Sequence, residues 1–218
     1  TLALVNCRGL CVLAIIRLVL VAIFIVFSAI VGLLICLVRP FYVPNVALFS
    51  SWYGWAAWIF GLKVEVRQAP EVTAAMPCVF LANHQNNYDL FTISKALLPG
   101  TVTIGKKSLK WIPFFGQLYW LSGNILIDRN NKSKALNTML AAAERIRRNN
   151  LSVWMFPEGT RSNKSEPQAF KSGLYHLAEQ FPDVQLIPVW IDNVQRVMPK
   201  GEVVPVPILC TATFGAPV

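Results

Sequence analysis

The chain has 218 residues, 55% of them hydrophobic and only 14% charged, against about 45–50% and about 25% in ordinary soluble domains. That length allows one compact domain plus a short additional segment, and the apolar excess points to a membrane segment. The formal net charge is +9. A basic body beside an apolar segment suits an anionic membrane surface and a phosphorylated ligand, whereas no recognisable nucleic-acid module accompanies the charge.

Residues 18–38 form an uncharged run of 21, flanked by Arg17 and Arg39. About 20 apolar residues span a bilayer core, and a signal peptide has a shorter run with a small-residue cleavage site. Pro40 and Pro44 then break the helix. A second apolar stretch, Asn45 to Leu62, contains Trp52, Tyr53, Trp55 and Trp58. Such aromatic side chains favour the headgroup boundary. Its shortness and tryptophan content predict a helix partly immersed in one leaflet rather than a second span. Residues 1–62 are therefore expected to form a membrane-associated two-helix segment. Arg8 and Arg17 precede it, and Arg39 and Lys63 follow its two helices. A hairpin that enters and leaves on one side accommodates this charge pattern.

From Lys63 the pattern becomes mixed. Short apolar runs predict strands at 63–66, 78–82, 102–105, 124–127, 152–156, 185–191 and 207–214. Helices are predicted chiefly at 89–98, 132–149 and 171–180. In the second of these, Leu136, Met139, Leu140, Ala143 and Ile146 recur at helical spacing, and Arg145, Arg147 and Arg148 crowd the C-terminal end. Strands alternating with helices indicate an α/β domain over 63–218, built on a mixed sheet flanked by helices. The chain stops soon after the last strand-like stretch, which leads one to expect a further C-terminal helix beyond it. The five cysteines, Cys7, Cys11, Cys36, Cys78 and Cys210, have neither disulfide-framework nor metal-ligand spacing. They read as buried reduced thiols, in keeping with a catalytic domain in the cytoplasm.

Two clusters carry candidate chemistry. Asn83 and His84 follow the strand-like Cys78–Ala82, and Asp89 opens the next helix. His84 and Asp89 are five residues apart. On one continuous helix they would lie about 140° apart in azimuth, and on an extended chain about 17 Å apart. Only a turn through residues 85–88 brings them together. Asp89 would then hold one ring nitrogen of His84 and leave the other to take a proton from a substrate hydroxyl. An Asp that merely caps the helix, beside a His satisfied by local backbone, is the structural alternative.

The second cluster, Phe156-Pro157-Glu158-Gly159-Thr160-Arg161, follows the strand-like Leu151–Met155. Gly159 permits close backbone approach. Arg161 offers a planar fork for phosphate oxygens, and Glu158 could hold that Arg or bind a glycerol hydroxyl. A solvated surface turn is the alternative here. Two further strand ends are basic: Gly105-Lys106-Lys107, which leads to Trp111-Ile112-Pro113-Phe114-Phe115, and Gly123 to Asp128-Arg129. No Gly-x-Ser-x-Gly elbow is present, so a serine lipid hydrolase lacks its nucleophile signature. A non-catalytic anchor for anionic lipid is a third class.

Taken together, these segments resemble the glycerolipid acyltransferase family. His84-x4-Asp89 is similar to the family's first block, Gly123 to Arg129 to the second, Phe156 to Arg161 to the third, and Leu186-Ile187-Pro188-Val189 to the fourth. The four occur in order over residues 78–192. Ile125 stands where many members carry an aromatic residue. The resemblance implies acyl transfer from a thioester of acyl carrier protein or coenzyme A to the sn-2 hydroxyl of lysophosphatidic acid, giving phosphatidic acid for phospholipid biosynthesis. It implies His84 and Asp89 as the catalytic pair, and Asn83, Lys106, Arg129, Glu158, Gly159, Thr160 and Arg161 as substrate-binding residues. Pro188 would shape the acyl or substrate pocket. It further implies no metal and no cofactor, membrane lipids as partners, no nucleic acid, and a place on the inner (plasma) membrane with the site facing the cytoplasm.

Overall fold

The structure is a computed structural model and describes residues 2–86, 88–128, 132–162, 166–180, 182–197 and 207–218. Helix α1 runs over Leu2–Val38 and α2 over Pro44–Ala56, continued by a 3-10 turn at Ala57–Phe60. The remaining elements are β1 (Lys63–Arg67), α3 (Pro70–Ala74), β2 (Val79–Ala82), α4 (Asp89–Ala96), β3 (Thr101–Lys106), a 3-10 turn (Lys107–Trp111), α5 (Phe115–Leu121) and β4 (Ile125–Ile127). They continue as α6 (Lys132–Arg148), β5 (Ser152–Met155), α7 (Ser172–Gln180), β6 (Leu186–Asp192), α8 (Val194–Val197) and β7 (Leu209–Phe214).

The strands form one sheet in the order β1-β7-β6-β2-β5-β3-β4. Every neighbouring pair is parallel except β6–β7, so the expected mixed sheet is present. Central β5 is buried along its whole length, as a strand covered on both faces must be. Its side chains alternate between two cores. Trp154, with Phe80 of β2, joins the core shared with α1, α2 and α4. Val153 and Met155, with Val79, join the core under α6 and α7.

The N-terminal segment departs from expectation. Helix α1 begins well before residue 18, because Arg8 and Arg17, which precede the uncharged run, do not break the helical backbone. Among the described residues, one helix is long and apolar enough to cross a membrane, over Val12–Val38. Helix α2 is too short to cross, and its inner face is committed to the α/β body. Asn45, Val46, Phe49, Tyr53, Gly54 and Ala56 are buried. A Cβ on Gly54 would stand 2.9 Å from the Lys95 backbone of α4. Trp55 and Trp58 remain exposed on its outer side.

Candidate functional site

Strands β2, β3, β4 and β5 are parallel, so their C-terminal ends share one edge of the sheet. Such an edge gathers loop residues from distant parts of a chain. Here it brings together His84 after β2, Lys106 at the end of β3 and residues 156–161 after β5.

The turn demanded by the His84–Asp89 spacing is present. Asp89 is the first residue of α4, and its Oδ2 lies 2.5 Å from His84 Nδ1. The same oxygen accepts the backbone N–H groups of Gln85 at 2.8 Å and Asn86 at 3.2 Å. Asn86 Oδ1 in turn accepts the Tyr88 N–H. An oxygen already receiving two N–H donors acts as an acceptor, which assigns the His84 proton to Nδ1 and leaves a lone pair on Nε2. Asp89 is 2% exposed, whereas 24% of the His84 side chain is open to solvent. The imidazole also stacks on Phe156, with centroids 4.0 Å apart and planes 15° apart. The stack fixes the ring plane.

His84 opens onto a cavity of about 750 Å³. Most of its wall is apolar, from Phe49 and Tyr53 of α2, Leu90 and Ile93 of α4, and Phe115 and Leu118 of α5. Lys106, Gly159, Thr160 and Arg161 line it together with His84 and Asp89. Lys106, Thr160 and Arg161 are exposed, which places the two cations at the open side. Elsewhere the wall is polar and self-satisfied. Thr103 Oγ1 meets Tyr119 Oη at 2.5 Å and Asn124 Oδ1 at 2.8 Å, and Asn124 Nδ2 donates to Ser122 Oγ at 3.1 Å.

Three expected substrate-binding residues do not line this cavity. The Asn83 amide is spent on β6, donating to the Ile191 carbonyl and accepting the Ile191 N–H. Glu158, 1% exposed, neither holds Arg161 nor faces the cavity. One oxygen accepts the His84 N–H at 3.2 Å and the other the Gln168 N–H at 2.9 Å. Pro188 points away for reasons of strand alternation. Ile187, Val189 and Ile191 fill the core, so Pro188 and Trp190 face out. Arg129 lies outside the described residues.

Sequence reasoning missed Phe156 as the partner of the imidazole, although it opens the quoted third block. It also missed the α5 wall and the Thr103–Tyr119–Asn124 cluster, for which no local signal exists. Cys36, Cys78 and Cys210 are buried and free. Burial pushes the Cys78 thiol up to about 11. Burial, with the charges of Asp89 and Asp192, does the same for Cys210. Neither supplies a thiolate nucleophile near neutral pH.

A family model described as "Acyltransferase" matches residues 63–192. The chain is 45% identical over 181 residues to the 1-acyl-sn-glycerol-3-phosphate acyltransferase of Salmonella typhimurium, covering 83% of this chain and 74% of that protein. It is 45% identical over 177 residues to the protein of the same name from Haemophilus influenzae, covering 81% and 73%. The crystal structure of the 1-acyl-sn-glycerophosphate (LPA) acyltransferase PlsC from Thermotoga maritima has the same fold. Its TM-score is 0.76 at 23% identity, with 98% of this chain and 86% of that one covered. The α/β sheet presents the His84–Asp89 pair to an apolar cavity, and this chain belongs to the acyltransferase family.

Proposed function

We propose that the chain transfers an acyl group from a thioester to the sn-2 hydroxyl of 1-acylglycerol 3-phosphate, forming phosphatidic acid. The observation that carries this reading is the His84 Nδ1–Asp89 Oδ2 contact of 2.5 Å at the wall of an apolar cavity edged by Lys106 and Arg161. The relatives' shared name supplies the acceptor.

The chemistry follows from the tautomer. His84 Nε2 takes the proton of the acceptor hydroxyl, and that oxygen attacks the thioester carbonyl. Asp89 stabilises the resulting imidazolium through Nδ1–H. The tetrahedral oxyanion collapses, the C–S bond breaks, and the departing thiolate recovers the proton from Nε2. The substrate hydroxyl is itself the nucleophile, so the protein supplies none and the sequence of steps calls for no metal or cofactor. The apolar cavity suits a hydrocarbon chain. Lys106 and Arg161 provide charge for a phosphate, with Arg161 able to bind it through two parallel N–H bonds. The acyl donor is a thioester of acyl carrier protein or coenzyme A. Helix α1 together with α2 holds the protein at the inner membrane, with the site on the cytoplasmic side, where lipid and soluble donor meet.

The test is phosphatidate formation by the purified chain from an acyl thioester and lysophosphatidate. His84→Ala is expected to lower kcat by about 10²–10⁴-fold, the usual contribution of a general base. Undiminished turnover by His84→Ala would sink the mechanism. Arg161→Ala and Lys106→Ala should chiefly raise the KM for the acceptor, and an unchanged KM would remove them from the phosphate site.

A further inference from the structure

The segment between β3 and α5 exposes side chains that a water-facing loop has no reason to carry. Trp111 is 74% exposed, Ile112 44% and Phe114 46%. Its backbone is strained as well. Phe114 has φ +66° and ψ −59°, and the Phe115 N–H bonds back to the Pro113 carbonyl at 2.7 Å. That combination is the rare γ-turn, which a bulky L-residue adopts at a cost of about 1–3 kcal/mol. The turn holds the Phe114 ring outward.

The placement of this lip indicates what covers it. Helix α5 packs against α1 and runs in the same direction. Its last residue, Leu121, accepts the Phe41 N–H at 2.7 Å, just beyond the C-terminal end of α1. One turn earlier, Leu118 lies where a Cβ on Gly32 of α1 would come within 2.5 Å. Its first residue, Phe115, meets the Tyr53 ring at 5.9 Å, and Tyr53 meets Phe24 of α1 at 5.2 Å. Moving from Leu121 back to Phe115 therefore leads from the Arg39 end of α1 toward the middle of its uncharged run. Phe114 directly precedes Phe115, so the lip leaves α5 at the end that faces the part of α1 where Ile23, Val26, Phe27 and Ile30 are exposed.

Charge agrees with apolar continuity. Residues 90–127 contain Lys95, Lys106, Lys107 and Lys110 and no acid. The Lys110 ammonium lies 3.4 Å from the centroid of the Trp120 ring, and Trp120 packs on Phe41. Its stem thus runs back toward the Arg39 end of α1, and the same ammonium lies 5.7 Å from the centroid of the Trp111 ring, so within this lip Trp111 stands on the headgroup side and Phe114 farther along. A lysine at a membrane boundary extends in this way, with its stem among apolar groups and its charge toward the headgroups.

We propose that Trp111–Phe114 is a second membrane-inserted element, which enters an anionic bilayer beside α1 and sets one rim of the active-site cavity at the lipid surface. Ile112 links the two roles, because it is exposed and also lines the cavity together with Ser108 and Leu109. A lysophospholipid could then slide from the leaflet past Ile112 toward His84 without its chain crossing water. This proposal rests on the membrane reading of α1 and on a lipid acceptor.

The test uses spin labels on the full chain, with Cys7 and Cys11 replaced by serine, bound to vesicles of phosphatidylethanolamine and phosphatidylglycerol. Labels are placed at Phe114→Cys, at Ile23→Cys on α1 and at Tyr175→Cys on α7, where Tyr175 is 62% exposed. Collision rates are read with oxygen and with a water-soluble nickel chelate. The label at 114 should match the one at 23, gaining oxygen contact and losing nickel contact when vesicles are added. The label at 175 should not change. Immersion at 23 with a water-exposed label at 114 overturns this proposal alone, and exposure at both overturns the membrane reading with it. In parallel, Trp111→Asp should lower turnover of a vesicle-embedded acceptor by about tenfold, which corresponds to about 1.4 kcal/mol. It should leave a short-chain, water-soluble acceptor unaffected. Equal loss on both acceptors, or no loss on either, counts against the lip.

Discussion

Glu158 carries the clearest lesson at the scale of the residue. A glutamate between a proline and a glycine, three residues from an arginine, invites a ligand-binding role. Its two oxygens are instead taken by backbone N–H groups from two different loops, one of them the N–H of His84. The side chain ties the β5 turn to the residue that would move the proton. Removing it leaves two part-buried donors without this acceptor, at up to about 1–3 kcal/mol each. Glu158→Gln, which keeps one acceptor oxygen but turns an NH₂ toward the other donor, is expected to lower Tm and kcat together while the acceptor KM stays near its original value. A raised KM with unchanged Tm would return Glu158 to the substrate. That His84, Asp89, Lys106 and Arg161 gather at one cavity was legible in the sequence because each sits within a few residues of a strand end. The task of Glu158 was not, because its partner His84 is 74 positions away and is brought close by β2–β5 pairing.

At the scale of the element, all seven strands stand within a residue or two of their expected positions, since short apolar runs bounded by polar turns mark them well. The shortest helices, α3, α5 and α8, were illegible. Helix α5 has seven residues, fewer than two full turns beyond its cap, so no apolar period can establish itself. Helix α2 was visible as an apolar segment, but its tryptophans drew attention to the lipid and hid the face that packs inward. Gly54 marks that face. A Cβ there would stand 2.9 Å from the nitrogen and Cα of Lys95, and backbone cannot swing aside as a side chain can. Gly54→Val should therefore push α2 off α4 and cost about 1–3 kcal/mol, the usual range for overpacking. Because Phe49 and Tyr53 of α2 line the cavity, the acyl donor KM should rise as Tm falls. Unaltered Tm would mean that α2 is a loosely tethered membrane helix and not part of the domain wall.

At the scale of the whole molecule, two different forces would draw the chain to a bilayer, and salt separates them. The net charge of +9 acts through long-range attraction, worth roughly 1 kcal/mol per Lys or Arg close to an anionic surface. The exposed apolar side of α1 acts through burial, which salt does not screen. The Debye length falls from about 10 Å at 0.1 M to about 3 Å at 1 M. Co-sedimentation with phosphatidylglycerol vesicles should accordingly exceed that with neutral phosphatidylcholine at low salt, and the difference should close as salt is raised. Binding to both should then level off above zero, at the part contributed by α1. Equal binding to the two lipids at low salt would show that the basic residues serve the phosphate of the acceptor and not the membrane. Loss of all binding at 1 M would show that α1 is not immersed, and that charge alone brings this site to its lipid.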